Sequence, residues 1–329
     1  MSFDRLQKRI DELENPTVVG LDPALENIPP QILERHIKKM GETLLAASVA
    51  VFEWGAGLID ALCDIVPAVK PQSAYYEMLG PEGVLSLKKT CEYAKKKGMY
   101  VICDVKRNDI GSTAAAYSAA YLGSVKVGGT ELFPFDVDAV TVNAYLGSDG
   151  IKPFIDMALK HDKAIFALVR TSNPSARELQ DMFISNSEKG LCPAITCDAS
   201  DHQLNPDGKR RLYTAVGDLM EYISHETVGE CGYTRVGAVV GATYPEEATF
   251  LRARLKNTFF LVPGYGAQGG SAAEAAQSFD ANGRGAIVNS SRGIIAAWKK
   301  TGGDYTDAAR AEAIHMRDEL RRFVCPGRR

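Results

Sequence analysis

Eight short apolar runs, each followed by a stretch of helical period, set the tightest limit on how this chain folds. They are 17–21 (TVVGL), 65–70 (IVPAVK), 100–106 (YVICDVK), 139–143 (AVTVN), 164–170 (AIFALVR), 236–243 (VGAVVGAT), 259–263 (FFLVP) and 286–289 (AIVN). The runs are nearly continuous in apolar residues, not strictly alternating, which is the pattern of strands covered on both faces of a parallel sheet. Helix-period segments lie between them at 36–63, 84–97 and 113–122, after Gly147, Tyr244 and Gly269, and at 308–323. Lys95, Lys96 and Lys97 before Gly98 read as a solvated helix C-terminus with a glycine cap. Eightfold alternation predicts an α/β fold, a (β/α)8 TIM barrel; an open doubly wound sheet is the rival on pattern alone. We expect a single domain over 1–329 with extra terminal helices. The tract at about 173–211, rich in Asn, Ser, Asp, Pro and Gly, reads as an irregular insertion after the fifth strand.

Net charge is −3, from 38 basic and 41 acidic residues, which argues against duplex nucleic acid as a partner. A small anionic ligand needs only one local cationic pocket. Seven cysteines are scattered, odd in number and without a Cys-x-x-Cys pair, as expected of reduced thiols. The N-terminal stretch is charged and amphipathic with no apolar h-region, and no apolar run approaches the ~20 residues of a bilayer span. The expectation is a cytoplasmic protein that does not engage a membrane. None of the five histidines falls at a strand end near the cluster described next, so a surface role is expected for each. His202 and Cys197 share the irregular tract, but zinc-ligand spacing is absent.

That cluster is Asp104-Val105-Lys106-Arg107-Asn108-Asp109-Ile110. Asp104 and Lys106 lie two apart at the C-terminal end of an apolar strand, so they point to one side, and in a barrel that end faces the active site. Burying them is expensive unless they pair. A pair that merely ends a strand is the plain alternative. Lys70, at the end of the neighbouring second strand, tips the balance by making a plus–minus–plus set, with Asp109 a second carboxylate. Asp22 ends the first strand in the same way.

After the seventh run comes Pro263-Gly264-Tyr265-Gly266-Ala267-Gln268-Gly269-Gly270. Its Gly-x-Gly-x-x-Gly is misplaced for a dinucleotide fingerprint, which follows the first strand and has an acidic residue ending the next. A barrel binds phosphate with the loops after strands seven and eight, where glycines let backbone N–H groups approach an anion. Arg292, in VNSSRGI, suits bidentate binding of phosphate oxygens.

The Asp-x-Lys-x-x-Asp-Ile motif, Lys70 on the preceding strand and the flanking VKPQSAYYE and DVKRNDIGSTA resemble the orotidine 5′-phosphate decarboxylase family in its longer bacterial form. The resemblance runs from Asp22 to Arg292. It implies conversion of orotidine 5′-phosphate to UMP and CO2 in pyrimidine biosynthesis, with no metal or organic cofactor. Such a reaction leaves electron density on C6 with no adjacent sink, so a fixed ammonium must stabilise the carbanion and protonate it. By resemblance that ammonium is Lys106. Asp104 would sit near the departing carboxylate and hold Lys106. Lys70 would balance the carboxylates and reach the ribose, and Asp22 would accept from a ribose hydroxyl. The resemblance further implies phosphate contacts from Gln268 and Arg292, with Ser291 standing where many members have glycine. Ser172, in the turn Thr171-Ser172-Asn173-Pro174, would contact the pyrimidine. It also implies a homodimer in which Asp109, Ile110 and Thr113 reach the partner's site.

Two other readings compete. Magnesium-dependent sugar-phosphate decarboxylases or aldolases on the same barrel place an acidic metal ligand where this chain has Lys70, which should repel the ion. A non-catalytic nucleotide-binding protein predicts loss of a member of the charged cluster, and all four are present.

Overall fold

The computed structural model describes residues 1–185, 209–266 and 269–324. In chain order the strands are β1 (Thr17–Leu21), β2 (Ala68–Pro71), β3 (Tyr100–Arg107), β4 (Val125–Val127), β5 (Thr130–Leu132), β6 (Ala139–Val142) and β7 (Ala164–Arg170), then β8 (Phe183–Ser185), β9 (Lys209–Arg211), β10 (Val236–Val240), β11 (Phe260–Val262) and β12 (Ala286–Ser290). The helices are α1 (Ser2–Leu13), α2 (Pro30–Met40), α3 (Leu44–Leu62), α4 (Ser73–Glu77), α5 (Gly80–Lys96), α6 (Gly111–Leu122) and α7 (Ser148–His161), then α8 (Arg177–Gln180), α9 (Leu212–Ser224), α10 (Pro245–Arg254), α11 (Ala272–Ala276), α12 (Arg292–Ile295), α13 (Trp298–Thr301) and α14 (Tyr305–Val324).

All eight apolar runs become barrel strands, closed in the order β1-β12-β11-β10-β7-β6-β3-β2. Every pairing around the ring is parallel, which excludes the open doubly wound sheet. The pleat sends alternate residues inward, and the lower interior is filled by Val18, Tyr100, Ile102, Phe166, Phe259 and Ile287. Helix α1 plugs this N-terminal end. Its Phe3 ring lies 5.0 Å from both Phe166 and Phe259, and the Ser2 hydroxyl meets the Tyr100 hydroxyl at 2.7 Å. Burying each such ring stabilises the fold by roughly 1.5–3 kcal/mol. At the other end of the chain, α14 packs across α3, α11 and α12.

Several local expectations change. Helix α3 has 19 residues and a mean hydropathy of 1.5, long and apolar enough by length and composition to cross a membrane, contrary to the reading that no run approaches that length. Half of it is buried, through Trp54, Leu58 and Leu62 among others, so packing against the barrel accounts for its apolar face. His36 is buried, not a surface residue; its Nε2 meets Glu53 at 2.7 Å, which draws the ring between α2 and α3. The lysines ending α5 are not all merely solvated: Lys95 pairs with Asp136 at 2.5 Å and Lys97 with Asp60 at 2.6 Å, while Gly98 (φ 77°) turns the chain. In the described part of the tract after β7 there is a turn at Pro174–Ala176, then α8, and β8 paired antiparallel with β9. Cys192, Cys197 and His202 lie outside the described residues.

Candidate active site

The C-terminal ends of the strands enclose a cavity of about 490 Å³. Lys70, Asp104, Thr141, Leu168, Val239, Leu261 and Asn289 face it from β2, β3, β6, β7, β10, β11 and β12. Its floor therefore changes abruptly, from the apolar layer below to charges on one side.

Asp104 is the hub. Its Oδ2 accepts from Lys70 Nζ at 2.7 Å and Gln72 Nε2 at 2.9 Å. Its Oδ1 accepts from Lys106 Nζ at 2.6 Å and the Thr141 hydroxyl at 2.8 Å. Burial alone would push this carboxyl's pKa up; attraction to Lys70 and Lys106 outweighs it and holds the group well below the usual carboxylate range. Lys70 is wholly enclosed, and burial pulls its pKa down, but Asp104 and Asp22 more than offset this and hold it charged. The set is stable only as a set, because a lone ion at this depth is strongly destabilising.

Lys106 arrives by a route that simple strand alternation misses. The register of β3 against β6 shifts between Cys103 and Arg107, and Lys106 takes the left-handed conformation with φ 46°. A non-glycine residue there is strained, and such strain is kept where the surroundings over-determine it. Here the Lys106 N–H donates to the Thr141 hydroxyl at 2.9 Å, and that hydroxyl donates onward to Asp104. One threonine thus fixes both the backbone of the lysine and the carboxylate that holds its ammonium.

Asp22 stands beside Lys70 with Oδ1 buried and unpartnered, and Asn289 Oδ1 is likewise orphaned in the cavity wall. Buried acceptors without donors are costly, and both are placed for a ligand's hydroxyl or amide. Next to Asn289, at the end of β12, Ser291 and Arg292 line the cavity, Arg292 exposed and without an ion-pair partner among the described residues. Gly20 makes room for this wall: a Cβ there would lie 1.8 Å from Ser291 Oγ. Gly264 and Tyr265 continue it, and Tyr265 is tied to α14 by a 2.6 Å bond from its hydroxyl to Glu319. Gln268 lies outside the described residues. Ser172 lines the cavity just past the end of β7.

Asp109, Ile110 and Thr113 are not among the residues lining this cavity. Asp109 Oδ1 accepts the Ile110 N–H at 2.8 Å, and Ile110 and Thr113 are exposed at the start of α6. The apolar side chains of Ile110, Tyr145 and Leu146 are exposed on the loops after β3 and β6. Sequence reasoning missed Gln72, Thr141, Gln180 and Asn289. Three carried a usable signal: Gln72 follows Lys70 at the two-residue spacing of an inward face, and Thr141 and Asn289 are polar residues inside apolar runs. Among the described residues no three His, Cys, Asp or Glu side chains group as a metal site.

Residues 56–302 match the family described as Orotidine 5'-phosphate decarboxylase / HUMPS. The chain is 40% identical over 312 residues to orotidine 5'-phosphate decarboxylase of Rhodopirellula baltica, covering 93% of this chain and 94% of the relative. It is 39% identical to the protein of that name from Caldicellulosiruptor bescii, with 90% of each chain covered. Among solved structures, OMP decarboxylase of Leishmania donovani is similar with a TM-score of 0.66 at 27% identity, covering 96% of this chain and 99% of that one.

Proposed function

The chain belongs to the orotidine 5′-phosphate decarboxylase family, and from that premise we propose that it converts orotidine 5′-phosphate to UMP and CO2 in pyrimidine biosynthesis. One observation carries the reading: a buried carboxylate held between two lysines at the floor of a barrel mouth. As the bond from C6 to the carboxylate carbon breaks, its electron pair stays on C6 and CO2 leaves. The Lys106 ammonium stabilises that charge and then gives its proton to C6; solvent restores it. Asp104 keeps Lys106 charged and aimed. Lys70 balances Asp104 and, with Asp22, reaches the ribose hydroxyls. Ser172 reads the pyrimidine.

Phosphate binding falls to Gln268, Ser291, Arg292 and the glycine loop at 264–270. The remote anion then supplies binding energy used at the reacting carbon. The working unit is a homodimer. The half-buried position of Asp109 outside the cavity and the exposed positions of Ile110 and Thr113 favour a role across a two-fold interface, with Ile110 and Tyr145 supplying apolar contact. The protein acts in the cytoplasm, as one barrel domain over 1–329 carrying an insertion at about 173–211.

The test is loss of orotate absorbance on adding orotidine 5′-phosphate, with and without EDTA. Turnover indifferent to chelator supports the proposal. Turnover abolished by EDTA points to the metal-dependent sister enzymes, and UMP binding without turnover points to a binding protein.

A further inference from the structure

Strand β7 ends at Arg170, where its register against β10 is already irregular, so the next peptide N–H has lost its ladder partner. A side chain from the insertion replaces it. Gln180, the last residue of α8, accepts the Thr171 N–H on Oε1 at 3.0 Å and donates from Nε2 to the Thr171 hydroxyl at 2.7 Å. That hydroxyl in turn donates to Asn173 Oδ1 at 2.7 Å, so the residues on both sides of Ser172 are tied to one amide. Gln180 is itself held: the buried Arg170 guanidinium lies 3.5 Å from its Oε1 and 3.2 Å from the neighbouring Asp181. On the other side Gly241 allows the close approach, since a Cβ there would meet the Ser172 backbone at 2.9 Å.

We propose that Gln180 is a positioning residue for pyrimidine recognition, fixing Ser172 at the cavity wall, and that the insertion after β7 thereby serves base specificity. The proposal rests on the reading of Ser172 given above. Gln180 lines the cavity, and its amide oxygen and nitrogen both bond Thr171, which lets it act on the strand end. Asp22, Lys70 and Arg292, assigned above to ribose and phosphate, lie on or just past other strands.

The experiment uses the full-length chain and two ligands, UMP and ribose 5-phosphate, which share the phosphate but differ in the base. Calorimetric titrations are run on Gln180→Ala, Gln180→Glu, Ser172→Ala and the Ser172→Ala/Gln180→Ala double variant. Gln180→Ala should weaken UMP about tenfold, as for loss of hydrogen bonds at one site, and leave ribose 5-phosphate within about twofold. Gln180→Glu, which keeps the acceptor for Thr171 N–H, should recover most of the UMP affinity and guards against a variant that fails to fold. The double variant should bind UMP no more weakly than Ser172→Ala, because the two residues act as one unit. Equal loss of both ligands in Gln180→Ala would show a general scaffold role and overturn the proposal. A selective loss in Ser172→Ala but not in Gln180→Ala overturns it alone. No selective loss in Ser172→Ala removes the reading beneath it as well.

Discussion

The two ends of the barrel are built from the same strands and differ only in what those strands turn inward. Strand β3 presents Tyr100, then Ile102, then Asp104; β7 presents Ala164, Phe166 and Leu168. At the bottom, rings from α1, β7 and the residue before β11 close a dry plug that stabilises by transfer from water and close packing. At the top, Lys70 and Asp104 are also buried, yet their desolvation is unfavourable and is offset by each other, Asp22, Gln72, Lys106 and Thr141. One end therefore carries stability with no chemistry. The other holds charged groups whose burial depends on their pairing.

The comparison can be broken by removing one partner at each end. Asp104→Asn leaves buried Lys70 without its ion-pair partner and should lower unfolding free energy by about 3–5 kcal/mol in urea titration, with turnover lost as well. A loss well under 1 kcal/mol, about the worth of an exposed pair, would mean the mouth tolerates an unpaired lysine. Phe259→Ala at the bottom should cost about 3–4 kcal/mol in the same titration yet leave kcat of the folded protein within about twofold. A parallel collapse of kcat would show that the two ends are not separable.

Acid sharpens the contrast. The Asp104 pKa is depressed in the folded state, so at low pH the unfolded chain binds more protons and stability rises with pH. The contribution is full above the unfolded value of about 3.9 and is lost as pH falls below it toward the depressed folded value. Phe259→Ala should keep the wild-type slope of stability between about pH 5 and 3, whereas Asp104→Asn should be shallower. Equal slopes in all three proteins would contradict the electrostatic account of the mouth. The smallest effect is expected at Tyr265→Phe, which frees the phosphate-side loop from Glu319. It should cost about 1 kcal/mol, read as a rise in KM with little change in kcat. A fall in kcat at constant KM would place Tyr265 with the reacting groups instead.

The barrel was legible because buried parallel strands leave continuous apolar runs, and each of the eight runs holds a barrel strand. Lys70, Asp104 and Lys106 were legible because charges at the ends of such runs have few structural excuses. What the runs hid depends on backbone irregularity. The bulge that swings Lys106 to φ 46° leaves no mark in residue spacing, and although Thr141 stands out as a polar residue in an apolar run, its hold on the Lys106 backbone does not. Gln180 was hidden differently: it belongs to a tract without periodicity, and its role appears only once Thr171 is seen without a strand partner. His36 was misread because one carboxylate on a neighbouring helix was enough to draw it inside.

The most direct test of the central claim is Lys106→Ala, measured as kcat on orotidine 5′-phosphate beside the Kd for UMP. Lys106 is half exposed and touches Asp104 through its ammonium, so truncation should leave the fold and UMP binding largely intact. The account predicts a fall in kcat of at least ~10³-fold, the upper range for removal of one electrostatic donor, with Kd changed by less than about tenfold. Near-normal turnover in the folded variant would contradict it, because the other ammonium lining the cavity among the described residues, that of Lys70, is buried and held by Asp104.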